Sequence, residues 1–133
     1  MSCELEIPIR WRDNDAYGHV NNAVYLTYLE ECRDRLVSEL FGAHGWDFVL
    51  AHVGIDYRHQ LTQADDLVRV RCAVASFSTS SVLTTERITM IDGTLAAEAE
   101  SVIVPRDASA QASRPLTEAE CATLQAAIDA DAR

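Results

Sequence analysis

Long apolar runs are missing from this 133-residue chain. No stretch approaches the roughly eighteen uninterrupted apolar residues of a membrane-spanning helix, so no membrane partner is expected. The amino-terminal segment MSCELEIPIRWRD carries charges where a signal peptide would need an apolar core, which points to a cytoplasmic protein. Basic residues are scarce as well. Eleven Lys and Arg against twenty-one Asp and Glu leave a formal net charge of −10. Nucleic acid is thereby argued against, because phosphate binding needs a basic face that can displace counterions. The four cysteines, Cys3, Cys32, Cys72 and Cys121, lie far apart with no C-x-x-C spacing. Neither a disulfide framework nor a zinc site is expected, and buried free thiols are the simplest reading. Internal repeats and low-complexity segments are also lacking.

What remains suits one globular domain over residues 1–133, with 48% apolar residues to build its core. Residues 3–11 alternate between polar and apolar, as a half-buried strand does, with Pro8 marking an edge or a bend. The turn-rich stretch DNDAYGHVNN follows. From about Ala23 to Phe41, Leu29, Cys32, Leu36, Val37 and Leu40 recur at helical steps, with Asn21 or Asn22 available as cap and Gly42 as terminator. Strand-like patterns cover about 46–57, 67–77, 81–90 and 95–104, and Asp92-Gly93 is a hairpin signal between the last two. A linker is expected over 106–116. A capping-box pattern at Thr117–Glu120 then opens a short helix over 117–131. The order strand, long helix, four strands is an α+β arrangement in which one curved antiparallel sheet covers one helix. Such a sheet leaves an edge exposed, and pairing of two chains would hide it.

Chemistry concentrates just before the long helix. The first amides of a helix lack internal partners and carry partial positive charge, so they can hold a developing oxyanion. If Asn21 caps the helix, its side chain takes an amide near Ala23 or Val24 and leaves that of Asn22 free for a ligand. A carboxylate facing this point could attack a thioester carbonyl or activate water for the attack.

The run WRDNDAYGHVNNAVYLTYLEECR resembles the signature of 4-hydroxybenzoyl-CoA-thioesterase-like hot-dog proteins: an acid, a glycine turn, His-Val-Asn-Asn, and an aromatic-rich helix ending near Glu-x-x-Arg. The resemblance continues through Asp56-Tyr57-Arg58, Asp66 and Asp92-Gly93 to about Arg114. It implies a hot-dog fold and an acyl-CoA thioesterase without metal or cofactor. Carried over by position, it implies that Asp15 is the catalytic carboxylate and that the Asn22 amide polarises the thioester. Tyr25 is then a residue flanking the acyl group. Read by itself, His19 is a candidate to orient the loop or touch substrate. The resemblance further implies a homodimer or homotetramer in which two subunits share each site.

Other readings stay open at this stage. The same fold serves acyl-carrier-protein thioesterases of fatty-acid or polyketide pathways, dehydratases, and non-catalytic acyl-CoA-binding modules. Asp13 reads as a structural turn acid. The Asp13/Asp15/His19 spacing matches no metal-binding pattern in detail. Arg58, Arg69, Arg71, Arg87 and Arg106 are candidate contacts for CoA phosphates.

Overall fold

The protein is described by a computed structural model covering residues 1–42 and 46–132. Strand β1 (Ser2–Pro8) leads into helix α1 (Asn22–Phe41), followed by β2 (Phe48–Tyr57), β3 (Leu67–Phe77), β4 (Val82–Met90) and β5 (Leu95–Asp107). A two-residue strand β6 (Ala112–Ser113) and helix α2 (Glu118–Asp131) complete the order. The main sheet is antiparallel, in the order β1-β3-β4-β5-β2. The meander β3–β4–β5 is the one its hairpin signals foretell. Strand β2 joins its far side, beside β5. Register shifts at Leu50/His52, Val74/Ser76 and Ile88/Thr89 sharpen the sheet's curl.

Alternation sets which face meets the helix. Val68, Val70, Cys72 and Val74 of β3 and Val82, Thr84, Glu86 and Ile88 of β4 are buried, and their odd-numbered neighbours are not. From α1 they meet Tyr25, Tyr28, Leu29, Cys32, Leu36 and Val37. Gly42 ends this helix at φ +91°, a conformation that costs glycine little, and its amide returns to the Ser38 carbonyl at 2.8 Å.

Two stretches differ from the sequence reading. The first strand stops at Pro8, because the Asp13 carboxylate folds back on the Arg10 amide at 2.9 Å and winds residues 11–13 into a 3₁₀ turn. Trp11 is left 80% exposed rather than half-buried in a strand. Within the expected linker, Arg106 and Asp107 pair with Ser113 and Ala112 as a short hairpin. Cys3, Cys32 and Cys72 are buried free thiols, and Cys121 is a half-buried one. No described helix is long and apolar enough to cross a membrane.

Candidate active site

The segment 14–20 is a tight hairpin that ends at the mouth of α1. Asn14 and Val20 form its bridge, and the Asp15 amide donates to the His19 carbonyl at 2.9 Å. The Gly18 amide closes the turn on the Asp15 carbonyl at 3.2 Å, with Gly18 at φ +88°. The Val20 amide donates to the Leu61 carbonyl at 2.7 Å, and the Asn21 amide to the Asp13 carbonyl at 3.0 Å. Both ends of the hairpin are therefore tied down one residue before the helix begins.

Within this turn the Asp15 carboxylate is held from two sides. Oδ1 accepts the Tyr17 amide at 2.9 Å, and Oδ2 stands 3.3 Å from His19 Nδ1. The Asp15 side chain is 18% exposed and that of His19 31%, so the pair is anchored yet reachable. The exposed ring of Tyr17 stacks beside His19. Asp13, two residues earlier, is spent on structure. It is 1% exposed and accepts from the Arg10 amide, the Arg10 guanidinium and the Tyr28 hydroxyl at 2.8–3.0 Å. Burial works against its charge, but these donors outweigh burial and hold the Asp13 carboxyl below the usual range. Burial and the adjacent carboxylate push the Tyr28 hydroxyl upward.

At the start of α1 the cap has the expected form. Asn21 Oδ1 accepts the Ala23 amide at 2.8 Å, and the Asn21 carbonyl accepts that of Val24 at 2.9 Å. The amide just before these two, on Asn22, meets no acceptor among the described residues. Strand β2 ends beside it, with the Tyr57 hydroxyl donating to the Asn22 carbonyl at 2.9 Å. Asn22, Tyr25, Tyr57, Arg58, His59 and Gln60 line a cleft of about 180 Å³ there. Tyr25 is a wall of this cleft. Its hydroxyl is engaged, donating to the His59 carbonyl and accepting the Leu61 amide, both at 3.1 Å, and its ring meets Tyr57 edge-on at 5.0 Å.

The chain belongs to the thioesterase-like superfamily. The family model of that description matches residues 9–128, which takes in the hairpin, α1, the whole meander and most of α2. Among the relatives of this thioesterase-like chain is the long-chain acyl-CoA thioesterase FadM of Escherichia coli K12. It is 37% identical over 67 residues, 47% of this chain and 51% of FadM, so the match spans about half of that relative. A Thermus thermophilus thioesterase solved with coenzyme A and Zn superposes with a TM-score of 0.83 at 30% identity, over 96% of this chain and 95% of the other. The probable thioesterase YbaW of Escherichia coli superposes at 0.80 and 26% identity, over 95% and 98%. The hot-dog architecture is thereby shown: a curled antiparallel sheet round one long helix, with a short terminal helix.

Several residues stand differently from their sequence-level reading. Arg58 is neutralised by Glu98 at 2.8 Å and Asp56 at 3.6 Å, and Arg69 by Glu6 at 3.2 Å, which weakens both as phosphate ligands. Arg71 and Arg87 face each other across β3 and β4, and Arg87 has no ion pair among the described residues. No group of three or more potential metal-binding His, Cys, Asp or Glu side chains forms among the described residues. Tyr57, His59 and Gln60 are cleft residues that sequence reasoning misses, since nothing local marks the end of β2 as a neighbour of Asn22. A buried polar cluster escapes it as well. Arg33 Nη1 donates to Glu86 Oε1 at 3.1 Å and to Ser101 Oγ at 3.3 Å, while Thr84 and Ser101 hydroxyls donate to the same carboxylate. The signals are present, as the Arg of Glu-x-x-Arg and a Glu on the inward parity of β4, but nothing in the sequence pairs them.

Proposed function

We propose that this chain hydrolyses acyl-CoA thioesters to the free acid and coenzyme A. Asp15 supplies the carboxylate and the Asn22 amide the oxyanion donor. The reading is supported by a carboxylate held at two points in the hairpin that precedes α1 and by a helix start whose first amide is unpaired among the described residues, although Asp15 is not one of the residues lining the Asn22 cleft. The amide and the helix dipole stabilise negative charge on the carbonyl oxygen as a nucleophile adds. Asp15 either adds directly to the carbonyl carbon or removes the proton of an attacking water. Where Asp15 activates water, collapse of the tetrahedral adduct breaks the C–S bond to release the acid, and the thiolate takes up the proton drawn from that water. Where Asp15 adds directly, collapse leaves an acyl-aspartyl anhydride, which a water then hydrolyses to the acid and the free carboxylate while its proton passes to the thiolate. His19 serves as a positioning residue for Asp15, and Tyr25 as a wall beside the acyl group.

Coenzyme A as the thiol carrier is supported by the CoA-bound Thermus relative and by the acyl-CoA thioesterase activity in FadM's name. The −10 charge disfavours an acidic carrier protein as the alternative. Four free cysteines suit a reducing compartment, consistent with the cytoplasm. A single hot-dog domain working as a homodimer completes the proposal. Strand β2 is an edge of the main sheet, and Val49 and Leu50 on it are 40% and 44% exposed. Pairing of two such edges would satisfy their free backbone groups and cover these side chains.

The test is release of free thiol from a panel of acyl-CoAs. Asp15→Ala should retain the far-UV circular dichroism of the parent and lose about 10²–10⁴-fold in turnover, the usual range for an acid–base group. Equal rates in the two proteins would remove Asp15 from the mechanism.

A further inference from the structure

Helix α1 packs on β1, β3 and β4 and stands further from β2. The gap is a groove of about 250 Å³ whose walls include Leu26 and Leu29 from the helix and Leu50 and Val53 from the strand. The groove and the Asn22 cleft follow the same pair of elements in one direction. Tyr57 touches Asn22 at one end of β2, while Leu50 and Val53 come later along the groove as the helix runs on towards Arg33. The two pockets share no lining residue; Asn22 and Tyr25 of one and Leu26, Leu29 and Arg33 of the other follow one another along α1, which sets out a passage leading away from the proposed position of the thioester carbonyl.

The far end of this passage is charged. Glu30 and Arg33, one helical turn apart, also line it. Arg33 is 3% exposed, and its two hydrogen bonds among the described residues both leave from Nη1. No fully buried side-chain nitrogen or oxygen among the described residues lacks a partner, so Nε and Nη2 keep some exposure, on a residue that lines the groove. The buried Glu86 and Ser101 fix the guanidinium from behind, so it cannot swing aside without abandoning a carboxylate in the core. An alkyl chain that reached it would strip water from a held cation and gain no hydrogen bond in return. A chain ending in a carboxylate would meet Glu30 beside a guanidinium whose charge Glu86 already balances.

We infer that the α1–β2 groove holds the acyl chain and that Arg33, fixed by Glu86 and Ser101, ends it, making this site selective for alkyl chains of limited length. The inference rests on the thioesterase reading for the position of the carbonyl. Arg33 lies eleven residues beyond Asn22 on α1, about 16 Å along the axis. That is the reach of an extended chain of roughly a dozen carbons. Arg33 is thus a specificity-determining residue, remote from the reacting bond.

S-alkyl-CoA thioethers, which cannot be hydrolysed, separate binding from chemistry. Titration calorimetry with thioethers of rising length should show affinity increasing about fourfold for each methylene that enters the groove. The rise should stop at roughly a dozen carbons. In R33M/E86Q, which removes the cation and leaves a neutral amide to bond Thr84 and Ser101, the rise should continue for several carbons more. Leu26→Trp, which leaves the buried pair intact and narrows the groove near its origin, should stop it earlier. An unbroken rise in the parent protein, or a break at one shared length in all three, overturns the assignment. Thiol release from ordinary acyl-CoAs, measured alongside, keeps the two readings apart. A break in affinity without thiol release removes the hydrolase and leaves the groove, and thiol release without a break does the reverse.

Discussion

The guanidinium of Arg33 lies 3.1 Å from the Glu86 carboxylate, and neither side chain is more than 4% exposed. Removing one partner strands the other in the core, so Arg33→Ala should cost about 3–5 kcal/mol. R33M/E86Q neutralises both members and should recover most of that loss, as urea melts of the three proteins would reveal. The cysteines respond to the same burial in another way. Burial pushes the Cys3 thiol up and that of Cys32 up to about 12, and Cys72 moves in the same direction. These thiols therefore stay protonated near neutral pH as well as shielded. Ellman's reagent should modify Cys121 alone in the native protein and all four thiols in denaturant. Free buried cysteines could be foreseen from their scattered positions, whereas the Arg33–Glu86 pair could not, because a charge on an inward face has no partner until the fold supplies one.

Helix α2 shows what local chemistry can specify. Thr117 caps it, accepting the Glu120 amide at 3.1 Å, while Glu120 reaches back to the Thr117 amide at 2.8 Å. The sequence pattern foretells this box. It says nothing of Arg114, which grips Glu120 through two bonds of 2.8 Å, or of Trp46, whose indole donates to the same carboxylate. The Arg114 bonds, opposed by burial and helped by Thr117 and Trp46, hold the Glu120 carboxyl down to about 2 from 4.5. A depressed carboxylate stabilises the folded state fully above its unfolded value and loses that contribution as pH falls through the folded one. The advantage of the parent protein over Glu120→Gln should be about 2 kcal/mol near neutrality and shrink between pH 4.5 and about 2. Thermal melts across that interval would measure it.

In the assembled fold, the decisive feature is that the helix is covered by a sheet with β2 at one free edge. The proposed dimer places two such edges together, and the acyl groove beside β2 then lies at the junction of subunits. Val49 projects from this edge at 40% exposure, so Val49→Lys should leave each folded chain intact and weaken the pairing by charge repulsion. Light scattering after gel filtration should give twice 14.7 kDa for the parent and a shift towards 14.7 kDa for the variant. A parent that runs as a monomer would remove the dimer.

Features that form within a few residues of one another were already written in the order of amino acids. These are the Asn21 cap, the Asp92-Gly93 turn, the inward parity of β3 and β4, and the turn through Gly18 that precedes the helix. Each depends on side-chain periodicity or on bonds to nearby backbone, both of which a linear pattern encodes. Folding in three dimensions was needed to settle that β2 crosses to β5, that Tyr57 closes on Asn22 from 35 residues away, and that Arg33 finds Glu86 across 53. Such pairings are selected by shape and by the cost of burying an unpaired charge, and those quantities exist only once the sheet has closed round the helix.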